Sequence, residues 1–261
     1  MTSSGKRFSP SSIKAKQARP SALAAAIDVE LRRQRNPARA PREKAYLKSD
    51  LEFLGVGLPA MRHAVQTLKR ENPGLDRRAL LALVTILWGR PVFERRMTAV
   101  LLLEAFHPLL QAADMSLMER LIRESKTWAF VDELAIVIAG PLVERYIGLL
   151  RVLDRWAMDE DFWLRRSAML ALLRPLRRGD GDFTRFARYA QSMLPEREFF
   201  IRKAIGWVLR ETSKNRPNLV YRWLLPRGAV ASGVTVREAV KYLSSRQRAD
   251  ILDAYASARR G

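Results

Sequence analysis

The chain has 261 residues, 48% of them hydrophobic, and 47 Lys and Arg against 27 Asp and Glu give a formal net charge of +20. This composition suffices for a sizeable core, and the charge indicates a polyanionic partner, nucleic acid above all, unless it serves solubility alone. The absence of cysteine excludes disulfides and cysteine-based zinc sites. No run reaches the ~18 apolar residues of a membrane span. His63 and His107 lack metal-ligand spacing, so we expect no metal and no cofactor.

The composition of the N-terminal residues 1–42 predicts three short segments ahead of the main domain. Residues 1–20 are rich in Ser, Lys, Arg and Pro without apolar periodicity, which is typical of a disordered basic tail, and no signal-peptide pattern is present. Residues 21–35 predict a helix with Ser21 as its N-cap. Residues 36–42 contain two prolines and predict a linker, so that 21–42 forms a helix-and-linker unit ahead of a main domain at 43–261.

Five segments of the main domain align without gaps. Each begins with polar or charged residues and continues into an apolar helix, and successive starts are 36, 34, 37 and 35 residues apart. The segments are RRMTAVLLL at 95, VDELAIVIA at 131, RRSAMLALL at 165, RKAIGWVLR at 202 and REAVKYLSS at 237. A second helical pattern precedes most of them. A two-helix unit of this period predicts an all-α fold, an α-solenoid whose concave face suits a rod-like partner.

The repeat aligns one column of charged residues along a single face. The second positions of the five segments are Arg96, Asp132, Arg166, Lys203 and Glu238. Three of them are basic, so the column predicts a basic ridge that Asp132 interrupts. Two interpretations of Asp132 are open at this point: a functional carboxylate, or a residue that only forms salt bridges with neighbouring arginines.

The most distinctive stretch is FFIRKAIGWVLRETSK at 199–214, in which Trp207 lies among cations. Read as a helix, it places Lys203 four residues before Trp207, on a neighbouring face. A large aromatic beside cations suits stacking on a nucleotide and pairing with its phosphate. The alternative is a core tryptophan with a solvated basic flank.

Several motifs together resemble one family. They are YLKSDLEFLGVGLPAMR at 46–62, WAFVD at 128–132, WLRRSA at 163–168, FFIRKAIGWVLRE at 199–211 and REAVKYL at 237–243. In this order and spacing they resemble the AlkD-type DNA alkylation repair proteins, which are DNA glycosylases built from HEAT-like helical repeats. The resemblance covers about residues 25–250 and implies a solenoid of HEAT-like repeats with a concave basic face.

The resemblance also implies roles for single residues. It makes Asp132 the catalytic acid, Trp128 and Trp207 the tryptophans of the catalytic cleft, and Arg166 the cleft arginine, expected to hold a phosphate.

Residues around this catalytic set are expected to contact DNA. Tyr46 matches an aromatic that the family places near the DNA, and Arg210 follows Trp207 as it does in the family. Arg96 and Lys203 come from the charged column, and Arg165 is a cation that this chain adds.

The implied function is hydrolysis of the N-glycosidic bond of cationic N3- or N7-alkylated purines in double-stranded DNA. We expect a monomer without membrane association, in the cytoplasm and associated with the nucleoid through DNA. Thr127 and Ala129 stand where the family often has Trp and Asp, which leaves lesion range and binding strength open. The alternative is a non-catalytic helical-repeat module that binds nucleic acid or protein.

Overall fold

The computed structural model describes residues 19–258, and helices without any strand account for the regular structure of that range. The all-α prediction is therefore confirmed. The first helices are α1 Pro20–Arg33, α2 Ala40–Leu47, α3 Leu58–Glu71, α4 Arg77–Trp88, α5 Phe93–Ala105, α6 Met115–Ser125, α7 Trp128–Glu133 and α8 Gly140–Arg145. They are followed by α9 Leu150–Trp156, α10 Phe162–Leu170, α11 Leu173–Arg178, α12 Phe183–Met193, α13 Phe199–Ser213, α14 Pro217–Leu224, α15 Gly233–Ala239 and α16 Ser245–Ser257.

The N-terminal unit departs from its predicted form. Residues 1–18 of the expected tail lie outside the described residues. Helix α1 begins at Pro20 with Arg19 as N-cap and no side-chain cap, so the prediction of Ser21 as N-cap is wrong. Proline is well suited to the first turn because it has no N–H to leave unpaired. For the same reason Pro41 is accommodated in the first turn of α2, which begins at Ala40, so the linker predicted to extend to residue 42 ends at Arg39.

Helix α1 packs against α4 and α5 and contributes to the core. Its buried residues are Leu23, Ala24, Ile27 and Leu31. Asp28 of α1 also pairs with Arg95 at the start of α5. The repeat array thus has a helix packed on its N-terminal side, where an open solenoid end would expose apolar surface to water.

The apolar segment after α7 is not a regular α-helix. Leu134–Ala139 forms a π-helix between α7 and α8, with wider turns than an α-helix has. Pro141, in the first turn of α8, lacks the N–H that would continue the α-helical hydrogen bonds. The predicted continuous helix over 131–139 is therefore interrupted, and the interruption begins two residues after Asp132.

The loop after α2 is fixed to α5 by one buried carboxylate. Glu94, 0% exposed, accepts hydrogen bonds from the N–H groups of Leu54 (3.0 Å), Gly55 (2.7 Å) and Val56 (3.1 Å). Burial raises the pKa of Glu94, and these hydrogen bonds oppose the rise. Gly55 has φ 77°, and a Cβ there would lie 2.2 Å from the carbonyl oxygen of Asn36. This anchor fixes the loop between α2 and α3 to the start of α5.

Neighbouring repeats are also joined by polar pairs at nearly the repeat distance. Ion pairs of this kind are Arg77–Asp114, Arg123–Asp159, Arg155–Glu119, Arg178–Glu144 and Arg188–Asp154. Buried tryptophans follow the same pattern: Trp88 and Trp156 donate their indole N–H to Glu124 (2.7 Å) and Glu119 (2.9 Å) of α6. Contacts between adjacent repeats therefore combine apolar packing with charge pairing.

Candidate functional site

A cleft of about 720 Å³ is formed by the ends of α2 and α6 and by α7, α10 and α13. Its lining residues are Tyr46, Leu47, Lys48, Lys126, Thr127, Trp128, Asp132, Trp163, Arg166, Phe199, Phe200, Lys203, Trp207 and Arg210. The four residues expected to form the catalytic set, Trp128, Asp132, Arg166 and Trp207, all line this one cleft. Equivalent positions of successive repeats lie side by side, which is why residues far apart in sequence meet here.

Asp132 and Arg166 form a bidentate ion pair. The Nε of Arg166 donates to Oδ1 of Asp132 at 2.7 Å, and its Nη2 donates to Oδ2 at 2.8 Å. The third guanidinium nitrogen, Nη1, donates to the carbonyl oxygen of Phe200 at 2.5 Å. The Arg166 side chain is 3% exposed and that of Asp132 is 14% exposed. In this arrangement Arg166 orients the carboxylate with all three of its guanidinium nitrogens donating to protein oxygens, and a phosphate contact by Arg166 stays a prediction.

Aromatic rings form much of the remaining lining. Tyr46 and Trp128 meet edge to face with ring centroids 5.8 Å apart, which links α2 to α7. Trp207 is half-buried on α13: its side chain packs against the core on one side and is accessible from the cleft on the other. Trp163 and Phe200 pack with centroids 4.9 Å apart. These π-faces can receive a base, a sugar or a cation.

Lys203 and Arg210 flank Trp207 and share one acidic partner. Lys203 Nζ lies 2.7 Å from Oε1 of Glu238 in α15, and Arg210 contacts the other oxygen, Oε2. Burial alone would raise the pKa of Glu238, but hydrogen bonds from Lys203 and Lys241 and the charge of Arg210 lower it to about 2. Glu238 therefore stays ionised and fixes both cations at the wall of the cleft.

Two residues expected to contact DNA lie outside the cleft lining. Arg96 donates to the carbonyl oxygens of Trp88 (3.2 Å) and Glu124 (3.1 Å), at the ends of α4 and α6. Arg165 donates to both carboxylate oxygens of Glu196, at 3.1 and 2.9 Å, and to two backbone carbonyls. Both guanidinium groups join neighbouring helix ends in this structure, and a DNA contact by either stays a prediction.

Half of the lining residues were not predicted as site residues: apolar Leu47, Trp163, Phe199 and Phe200, and polar Lys48, Lys126 and Thr127. Lys48 and Lys126 are exposed, and at φ 49° and 47° they are the non-glycine residues of 19–258 in the left-handed region. Thr127 is 2% exposed, and its Oγ1 has no hydrogen-bond partner within this range. The available signal was proximity, because Lys48 follows Tyr46 by two residues and Lys126 precedes Trp128 by two.

The cleft joins a carboxylate, aromatic faces and cations within one concave surface. A fixed negative charge beside π-faces stabilises a positively charged group, and flanking cations bind anions such as phosphate. Between residues 19 and 258 no group of three His, Asp or Glu side chains is arranged to hold a metal ion. No helix in that part of the chain is long and apolar enough to cross a membrane.

Comparison with known proteins gives one family and several structures of similar fold. The family model of the DNA alkylation repair enzymes matches residues 27–243. A structure described as a predicted DNA alkylation repair enzyme from Enterococcus faecalis has a TM-score of 0.74 at 24% identity, covering 81% of this chain and 98% of its own. AlkD2 from Streptococcus mutans has a TM-score of 0.57 at 19% identity, covering 79% and 100%. The comparison with curated proteins gives no match. At these identities the two structures show the fold alone.

Proposed function

Because the chain belongs to the DNA alkylation repair enzyme family, we propose that it is a monofunctional DNA glycosylase acting on cationic N3- or N7-alkylated purines in duplex DNA. The observation that carries this proposal is the Asp132 carboxylate, held by Arg166 at 2.7 and 2.8 Å in a cleft that Trp128 and Trp207 also line. A monomer associated with the nucleoid belongs to the same proposal.

The chemistry requires little acid catalysis. Alkylation at N3 or N7 gives the purine a formal positive charge, so the base leaves as a neutral molecule with the electron pair of the C1′–N bond. The sugar passes through an oxocarbenium-like cation, which the Asp132 carboxylate stabilises electrostatically. Water then adds to C1′ and loses a proton, giving an abasic site. Arg166 supplies orientation, because a bidentate pair fixes the plane of the carboxylate.

The other cleft residues bind the substrate in this proposal. The rings of Trp128 and Trp207 present π-faces to the cationic lesion or the sugar, a contact worth roughly 0.5–2 kcal/mol. Lys203 and Arg210 lie beside Trp207, where they can approach the phosphates around the lesion. The open cleft is compatible with lesions that stay near the surface of the duplex.

A second candidate function is non-catalytic recognition of DNA by the same cleft. The observation in its favour is that Arg166 engages both oxygens of Asp132, as expected of a structural ion pair. The two candidates differ in whether a bond is broken, and they share the prediction of duplex binding.

The decisive experiment is incubation of the protein with duplex DNA that carries 7-methylguanine or 3-methyladenine, followed by chromatography of released bases. We expect free methylated purine and an equal amount of abasic sites, with no strand cleavage before alkali treatment. Tight binding of the alkylated duplex without release of base would contradict the glycosylase and support the non-catalytic candidate.

A further inference from the structure

The positive charges of the cleft differ in how far they are neutralised. The carboxylate of Asp132 neutralises the charge of Arg166, and the carboxylate of Glu238 forms ion pairs with both Lys203 and Arg210. Lys48 and Lys126 line the same cleft, and within residues 19–258 neither has a carboxylate partner. The charge that is free to meet an anion therefore lies with these two lysines, on the α2 and α7 side of the cleft.

The backbone of both lysines supports a role for their side chains. Each follows a helix directly, Lys48 after α2 and Lys126 after α6, in the left-handed conformation that usually selects glycine at this place. A lysine there costs stability relative to glycine because its Cβ is crowded. Strained non-glycine positions cluster at functional sites. Two such positions in one cleft therefore support a functional role for this part of the lining.

Both lysines lie close in sequence to the aromatic pair already described. The rings of Tyr46 and Trp128 are 5.8 Å apart, Lys48 lies two residues after the first ring, and Lys126 two residues before the second. Thr127, beside Lys126, lines the cleft with a buried Oγ1 that has no partner in the described range. An unpaired buried hydroxyl is costly, and a ligand oxygen would satisfy it.

We propose that Lys48, Lys126 and Thr127 form a phosphate clamp that binds the DNA backbone next to the nucleotide contacting Tyr46 and Trp128. This inference rests on the proposed function, since it assigns the substrate's phosphodiesters to one wall of that site. Lys203 and Arg210 line the same cleft but share the Glu238 carboxylate, so the unpaired charges of the clamp supply the main attraction for the backbone.

The test uses the double variant Lys48→Gly/Lys126→Gly. Glycine suits both backbone positions, so the melting temperature should stay the same or rise while binding weakens. A second pair, Lys48→Asn/Lys126→Asn, keeps side chains that tolerate the left-handed region. The control Arg246→Gln/Arg248→Gln removes the same charge from exposed positions of α16 outside the cleft lining. Affinity for an undamaged duplex is measured by fluorescence anisotropy between 50 and 300 mM salt.

Losing two phosphate contacts should reduce the slope of log affinity against log salt by about 1.8, which corresponds to roughly 30-fold weaker binding at 0.15 M salt. The control should keep the wild-type slope. A wild-type slope in both clamp variants, or an equal change in the control, would overturn the clamp while leaving excision of methylated purines by the wild type untouched. Duplex binding without excision would overturn the glycosylase alone, and a wild type that neither binds nor excises would overturn both.

Discussion

At the scale of single residues, Asp132 combines two tasks that compete for the same two oxygens. Its carboxylate is the partner of a buried arginine, and the proposed reaction requires it to stabilise a cation at C1′. The tasks are compatible if the cation approaches from the cleft side while Arg166 donates from behind. In the proposed reaction, the exposed 14% of the Asp132 side chain is the part that can face the cation.

Asp132→Asn keeps the size of the side chain and removes its charge. We expect single-turnover excision of 7-methylguanine to fall by up to roughly 10²–10³, and by less if the cationic base leaves readily without help. Affinity for duplex DNA should stay the same or rise, because the substitution removes one negative charge from a cleft that contains several cations. Single-turnover excision, duplex affinity and melting temperature are measured on the same preparation.

The matched control is Glu196→Gln, which removes the carboxylate that holds Arg165 in the same bidentate way outside the cleft. Both variants should lose some thermal stability, since each leaves an arginine with a neutral partner. Only Asp132→Asn should slow the reaction of the bound complex. An unchanged rate in folded Asp132→Asn, or the same slowing in Glu196→Gln, would contradict a catalytic role.

At the scale of elements, the contact of α13 with α15 determines where Lys203 and Arg210 point. Gly206 of α13 lies against α15 so closely that a Cβ would come within 2.8 Å of the Glu238 Cβ and 3.0 Å of the Thr235 carbonyl oxygen. This close approach brings Glu238 to its two cations. The packing of two helix backbones thus positions one wall of the cleft.

Gly206→Ala should force α13 and α15 apart. Overpacking of this kind costs typically about 1–3 kcal/mol, or about 2–4 °C in melting temperature for each kcal/mol in a chain of this size. Gly148→Ala is the control, because no atom lies within 4 Å of a Cβ at that position. We expect the control to melt at or slightly above the wild-type temperature, and similar melting temperatures for both variants would contradict the close-approach argument.

Glu238→Gln tests the ion pairs at the same contact through pH. The folded pKa of about 2 lies below the ordinary value of 4.5, so the stabilisation is complete above pH 4.5 and is lost as pH falls toward 2. One pKa unit corresponds to about 1.4 kcal/mol, so the full effect is roughly 3 kcal/mol. In urea unfolding at several pH values, the variant should be less stable than wild type near pH 7, and the difference should shrink below pH 4.5.

The control for that series is Glu71→Gln at the exposed end of α3, which should change the free energy of unfolding little at any pH. A difference between Glu238→Gln and wild type that stays constant from pH 7 to pH 3 would mean that packing, not charge pairing, explains the loss of stability.

At the scale of the whole molecule, helical periodicity and a repeat of 34–37 residues predicted the array of helices. The meeting of Trp128, Asp132, Arg166 and Trp207 in one cleft was predicted from the repeat column together with the family resemblance. The caps and breaks were less predictable. Ser21 was a plausible N-cap by residue type, but Pro20 and the packing of α1 on α4 moved the start. Propensity alone does not show such tertiary effects.

The orientation and the ion-pair partners of the charged side chains could not be predicted from the sequence. Repeat alignment placed Arg96 and Arg166 in one column, yet one binds backbone carbonyls and the other a carboxylate, since each depends on which helix end lies beside it. Lys48 and Lys126 were overlooked for a related reason. The left-handed backbone of these two lysines and their lack of a carboxylate partner among the described residues result from folding, and no residue pattern in the sequence predicts them.

The π-helix at Leu134–Ala139 lets the number of residues between Asp132 and α8 vary by one while Asp132 keeps its orientation. Its turns hold more residues than α-helical turns do, so the stretch contains about one residue more than an α-helix of the same rotation. Removing one residue there would restore ordinary α-helical winding and leave Asp132 on the same side of its helix. The same deletion within a regular α-helix such as α13 would turn the residues on one side of it by about 100° relative to those on the other. Among proteins of this fold, a one-residue gap in an alignment is therefore compatible with the same cleft within Leu134–Ala139 and incompatible with it within α13.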